Sequence, residues 1–256
     1  MSLPGLRLAA EPLAGLPEVR AGDDLASLIA GAAEAATAGL RGGEVLVVAQ
    51  KVVSKAEGRV APLADFEPGE RARALASRTG KDPQLVQAIL GESDAVLRVG
   101  REVLIVRTQH GFVCANAGID QSNVPEGMVS LLPEDPDASA RRIRTGLRER
   151  LGVAPAVLVS DSFGRAWRLG QLDVAIGCAG LVPLLDLRGE RDGRGRPLTA
   201  TVDAVADAAT AAASLVRHKG GREAVVVVHG LERHVTPEDG PGAAAILRAL
   251  DEDLFR

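Results

Sequence analysis

Apolar residues recur along this chain with two different spacings, and the changes in spacing mark alternating helices and strands. With Asp23 as N-cap, Leu25, Leu28 and Ile29 share a helical face, and the pattern predicts a helix running to Gly42-Gly43. The apolar run Glu44–Ala49 (EVLVVA) predicts a short buried strand, which delivers the polar segment Gln50-Lys51-Val52-Val53-Ser54-Lys55. Asp82-Pro83 opens a second helix, with Asp as N-cap, Pro at the first helical position and Gly91 past its end. Ala95 to Ala115 reads as three strands joined by turns at Gly100-Arg101 and Gln109-His110-Gly111. Asp135-Pro136 repeats the cap chemistry ahead of a helix with Ile143, Leu147 and Leu151 on one face, ending at Gly152. Strands follow at Ala156–Ser160 and Leu172–Gly177, then an Ala-rich helix over Val202–Val216 and a buried strand at Ala224–Val228.

The central run of strands breaks strict βα alternation. The expected class is therefore mixed α/β (α+β) rather than a doubly wound sheet. There is no internal repeat, low-complexity tract or long linker, so residues 1–256 are read as one unit with room for two subdomains.

Composition narrows the classes of function. Aromatic residues make up only 2% of the chain, so the core must be built from Ala, Val, Leu and Ile, and few rings are left for stacking bases. The net charge of −4 supplies no basic field for nucleic acid or acidic membranes. Cys114 and Cys178 are the only cysteines, too few for a disulfide scaffold or a four-Cys zinc site. The four histidines show no zinc spacing. Residues 1–20 lack the apolar stretch of a signal peptide, and no apolar run approaches a membrane span. The expected compartment is the cytoplasm.

Phosphate-binding signatures are missing. No G-x-x-x-x-G-K-[ST] loop occurs, nor a G-x-G-x-x-G after a strand. Four polar segments offer chemistry instead. In Gln50–Arg59, Lys51 and Lys55 would share one face of a helical turn and reach the same polyphosphate, or stand as solvated surface lysines. Gly118–Asn123 (GIDQSN) offers Asp120, Ser122 and Asn123, oxygen ligands for a hard cation, or an Asx-turn capped by Asp120. In Ser160–Arg168 (SDSFGRAWR), Asp161 would project beyond a buried strand with Ser162 beside it. Arg165 and Arg168 there suit phosphate or carboxylate, and Trp167 is either a core residue or a wall for a flat heterocycle. Asp186–Arg196 reads as a solvated Gly-rich loop, and Arg141, Arg142, Arg144, Arg148 and Arg150 as a wet helix face.

Taken in order, LPEVRAGDDL (16–25), VVSKAEGR (52–59), AGIDQSN (117–123), SDSFGRAWRLGQLDVAIGCAG (160–180), DLRG (186–189) and DLF (253–255) resemble the coenzyme F-420-0:L-glutamate ligases over nearly the whole chain. The chain is similar to the actinobacterial form, in which a flavin-binding nitroreductase-like domain follows, and no such domain is expected here. The resemblance implies an intertwined two-subdomain homodimer. It also implies that GTP activates the F-420-0 carboxylate as an acyl phosphate, which the glutamate amine attacks.

Carried over by motif, Leu16, Pro17, Glu18, Val19, Gln50, Lys55 and Asn123 would hold GTP. Asp120 and Asp161 would bind one divalent metal, Mg²⁺ or Mn²⁺, and Ser162 would help hold a second. Asp120, Asp161 and Lys55 would be catalytic, with Arg165 and Arg168 on the anionic coenzyme. A monovalent cation such as K⁺ is a further expectation. The chain departs from the family at Gln121, where many members have an acid, and at Arg217–Glu223 (RHKGGRE), where no second-metal ligand is assigned. The competing readings are a related amide ligase with another acceptor, and a nucleotide- or deazaflavin-binding protein without catalysis.

Overall fold

The computed structural model describes residues 7–36, 39–218 and 223–253. In chain order its elements are β1 (Ala9–Pro12), α1 (Leu25–Ala35), β2 (Val45–Ala49), α2 (Gln50–Ala56), β3 (Val60–Pro62), α3 (Glu70–Thr79) and α4 (Pro83–Gly91). There follow β4 (Ser93–Gly100), β5 (Val103–Thr108), β6 (Val113–Ala115), β7 (Met128–Ser130) and α5 (Pro136–Leu151). The last are β8 (Ala156–Arg165), β9 (Arg168–Ala179), β10 (Leu184–Asp186), β11 (Val202–Ala204), α6 (Val205–Ser214) and β12 (Val225–His229).

A mixed five-stranded sheet, in the order β1-β12-β2-β8-β9, forms the centre. Only β2 and β8 pair in parallel, with Val45 opposite Ala156 and Ala49 opposite Ser160. β2 is apolar throughout because both of its faces are covered. Leu46 and Val48 enter a core with Ile29 of α1 and Ile143 and Leu147 of α5. Val45 and Val47 point the other way, against Ala206, Ala209 and Ala213 of α6. Alanines let helices approach closely, which is how a chain this poor in aromatics fills its interior. At Gly146 a Cβ would lie 2.5 Å from that of Ala26, so α1 and α5 meet only because residue 146 has no side chain. Each Leu or Ile buried in these layers contributes about 1.5–3 kcal/mol.

Beside this sheet, β4, β5 and β6 form an antiparallel three-stranded sheet. Leu104 and Val106 pack there on Leu75 of α3 and on Val86 and Ile89 of α4, giving a third core. The mixed α/β class expected from the sequence is the class observed. Among the described residues no helix is long and apolar enough to cross a membrane.

Several boundaries differ from those read in the sequence. The N-cap of α1 is Asp24, whose carboxylate accepts from the Ser27 N–H, while Asp23 accepts from the Arg20 N–H. α1 is also shorter than expected, because Ala36 is already extended. Gly91 is the last helical residue of α4 rather than the residue after it. Residues 202–204 pair with β10 as a strand before α6 begins. Arg144 is not on a wet face: it is buried, and its guanidinium donates to the carbonyls of Pro155, Thr236 and Pro237 and to Asp239. The largest difference is in β8 and β9. They continue past the buried sheet as a long hairpin, so Asp161 to Arg165 belong to a strand and not to a loop.

Candidate active site

β2 ends at Ala49, opposite Ser160, while β8 runs on to Arg165. Among the described residues the β2 side of β8 is therefore unpaired beyond Ser160, and a cavity of about 1040 Å³ opens there. Its volume is at the top of the roughly 300–1,000 Å³ range typical of ligand clefts. The helix α2, which begins at Gln50 directly after β2, forms one wall, and the segments 16–19 and 114–123 form others.

Helical spacing sends Lys51 and Lys55 to this wall, where each meets a carboxylate. Lys51 Nζ lies 2.5 Å from Asp120 Oδ2 and donates to Ser122 Oγ at 2.6 Å. Lys55 Nζ donates to Glu18 Oε1 at 2.6 Å. Gln50 is buried and donates to Ser54 Oγ and the Leu131 carbonyl, which leaves its Oε1 buried without a partner among the described residues. Leu16 and Val19 anchor their segment in the core, whereas Pro17 and Glu18 stay exposed at the cavity.

The Asp120 segment is held from both sides. Its N–H and carbonyl pair with Ser130, and the Ser122 N–H and hydroxyl both donate to its carboxylate. Just upstream, Asn116 and Ala117 are left-handed, with φ of 53° and 56°. Such conformations are strained for residues other than Gly and cluster at functional sites. Asn123, also left-handed, completes this wall.

The two aspartates differ electrostatically. Burial alone would push the Asp120 carboxyl up, but the Lys51 ammonium and the Ser122 donors outweigh it and hold Asp120 below the usual carboxylate range. Asp161 is pushed up to about 7, first by burial and then by the nearby Asp173 and Asp120 carboxylates, against the pull of the Ser162 N–H and Lys51. Burial, with the Asp161 charge nearby, also pushes the Cys114 thiol up to about 12. Burial therefore disfavours a thiolate there.

Hard oxygens of this kind suit a divalent cation, and a cation would relieve the repulsion among the carboxylates. Asp161 and Ser162 leave β8 on opposite faces, yet both border the cavity because the strand edge is open. Among the described residues no group of three or more His, Cys, Asp or Glu side chains could hold a metal ion alone. Mg²⁺ itself commonly takes only one or two protein carboxylates and completes its shell with water and phosphate.

Residues 15–230 match the family described as "F420-0:Gamma-glutamyl ligase". The chain belongs to this ligase family. It is 46% identical to the "Coenzyme F420:L-glutamate ligase" of Methanothermobacter thermautotrophicus, over 94% of this chain and 96% of the relative. The enzyme of the same name from Methanopyrus kandleri is also 46% identical, over 99% of each chain. That of Archaeoglobus fulgidus is 42% identical, over 98% of this chain and 97% of its own length.

In this family member the cavity is lined by all of the residues that the resemblance assigns to nucleotide and metal, while Arg165, Trp167 and Arg168 lie outside it. Arg165 and Arg168 pair with each other at the hairpin end, past a register irregularity that follows the Gly164–Gln171 pair at the end of the cavity wall, and Arg165 Nη2 donates to the Leu169 carbonyl. Trp167, at the same hairpin tip, is 75% exposed and so is not a core residue. Residues 219–222 and 254–255, which bear on the RHKGGRE and DLF segments, lie outside the described residues.

Two charged residues at the cavity, the buried Asp173 and the part-buried Arg217, were given no role from the sequence. Asp173 Oδ1 accepts from Ser162 Oγ at 2.6 Å, and Asp173 Oδ2 accepts from Arg217 Nη1 at 2.8 Å. The available signal was an acid inside the apolar strand pattern LDVAIG (172–177).

Proposed function

We propose that this chain joins L-glutamate to the terminal carboxylate of F-420-0, using GTP and a divalent metal, through an acyl phosphate. The observation that carries the reading is the meeting of Asp120, Asp161, Lys51 and Lys55 on one cavity in a member of this ligase family. A carboxylate is a poor electrophile, so an F-420-0 carboxylate oxygen first attacks the γ-phosphorus and GDP leaves. The glutamate amine then attacks the acyl carbon, an N–C bond forms, and phosphate departs with that oxygen while the amine loses its proton. No protein nucleophile is needed, which suits a site whose one thiol is held neutral.

The chain's own residues supply position and charge. Lys55, with Gln50, Asn123 and the 16–19 segment, would hold the nucleotide, and Lys51 would stand beside the phosphates. Asp120 and Asp161 would hold one cation, and Ser162 would help with another. When bound, these cations supply neutralisation of the triphosphate charge. Arg165 and Arg168, beyond the cavity wall, would meet the anionic coenzyme at its rim. The reading extends to a cytoplasmic homodimer with small-molecule partners, no nucleic acid or membrane, and K⁺ as an additional ion.

Incubating the protein with F-420-0, glutamate, GTP and Mn²⁺, then measuring product mass, tests this. A gain of one or more glutamyl units is expected. Nucleotide binding without any mass gain would instead support a non-catalytic binding protein, and a gain only with another acceptor a related amide ligase.

A further inference from the structure

The Asp173–Arg217 pair lies behind the cation-binding residues and is used by none of the roles above. Asp173 is on β9, directly opposite Ser162 of β8, and only 6% of it is exposed. Arg217 follows α6 and reaches across the end of the sheet. Its Nη1 donates to Asp173 Oδ2 and to Ser160 Oγ at 3.0 Å, and its Nη2 donates to the Val47 carbonyl at 2.9 Å. One guanidinium thus ties together β2, β8 and β9 where β2 ends.

A serine hydroxyl has one hydrogen to donate and lone pairs to accept with. The Ser162 hydrogen is taken by Asp173 Oδ1 at 2.6 Å, and among the described residues no donor is bonded to the Ser162 oxygen. Ser162 is therefore fixed as an acceptor whose lone pairs are left for an electropositive group in the cavity. Arg217 meanwhile neutralises Asp173, so that this carboxylate serves Ser162 rather than taking a cation itself. Groups that orient a metal ligand in this way commonly set its affinity.

We propose that Asp173, held by Arg217, is a positioning residue that fixes the Ser162 hydroxyl as a ligand for a divalent cation. The proposal rests on the assignment of Ser162 as a cation ligand in the proposed function. The test is Mn²⁺ binding, read as loss of the free-Mn²⁺ electron paramagnetic resonance signal, with a non-hydrolysable GTP analogue present. Parent, Ser162→Ala, Asp173→Ala and the double variant are compared, with thermal melts alongside. Each single substitution is expected to weaken Mn²⁺ binding roughly tenfold or more, and the double variant should be no weaker than the weaker single one. Additive losses, or Asp173→Ala binding Mn²⁺ like the parent, would overturn the proposal. Should Asp173→Ala fail to fold, Asp173→Val fills the site without offering an acceptor to Ser162 and is expected to lose Mn²⁺ affinity with the same non-additivity; parent-like affinity there would also overturn it. A parent protein that binds no Mn²⁺ beside the nucleotide would remove the metal assignment itself, an outcome separate from any difference between variants.

Discussion

Lys51 and Asp120 form an ion pair of 2.5 Å between the first turn of α2 and the segment leading into β7. The same carboxylate is a proposed cation ligand, so the ammonium and a divalent cation compete for one oxygen. Both aspartates are needed to hold the cation on this account. Asp120→Asn and Asp161→Asn should each abolish ligation while the melting temperature falls little, because neither carboxylate fills the apolar core. Full turnover in either variant, or in excess chelator, would remove the metal assignment.

Lys55 tests the nucleotide side of the cavity. Its partner Glu18 is largely exposed, with 64% of the side chain in solvent, so the pair contributes little to folding. A charge-assisted hydrogen bond to phosphate is worth roughly 1.5–3 kcal/mol. Lys55→Ala should therefore weaken nucleotide binding about ten- to a hundredfold and leave glutamate binding nearly unchanged. Coincident nucleotide titrations of parent and variant would make Lys55 a surface residue only.

Asp161 gives a pH dependence. Its folded-state value of about 7 lies above that of a free carboxyl, so the neutral form stabilises the fold fully below about pH 4. That contribution is lost as pH rises through about 7. The metal-free protein should melt lower at pH 8 than at pH 5 in this respect, and Asp161→Asn should flatten the slope. Cation binding runs the other way, since the proton must leave first, and should strengthen with pH up to about 7. Parallel melting curves for parent and variant across this range would contradict the assignment.

The strands and caps that depend on local pattern were legible in the sequence. EVLVVA reads as a buried strand because both sheet faces are covered, and Asp82 and Asp135 cap their helices through their own side chains. α3 was legible and overlooked: Ala72, Leu75, Ala76 and Thr79 repeat at helical spacing, and Gly80 closes the helix in the left-handed region. The hairpin of β8 and β9 was not legible, because Ser160–Arg168 carries the Gly and polar residues of a loop. Pairing with β9 decides its conformation, and that is a contact between distant residues. The residue patterns named the lysines, Asp120 and Asp161 in separate segments and the resemblance implied that the two aspartates meet, but the cleft that gathers them depends on β2 ending at Ala49 while β8 runs on. The Asp173–Arg217 pair spans 44 positions of the chain, and no local pattern joins them.

The central claim is that the carboxylate is activated by phosphoryl transfer before the amide forms. Oxygen-18 placed in the F-420-0 carboxylate reports this directly. The attacking oxygen joins the γ-phosphorus and leaves with it when the amine displaces phosphate. One labelled atom should therefore appear in inorganic phosphate for each amide made, with GDP as the other product. Label in GMP with release of pyrophosphate, or no glutamate-dependent cleavage of GTP in the presence of F-420-0, would contradict the account.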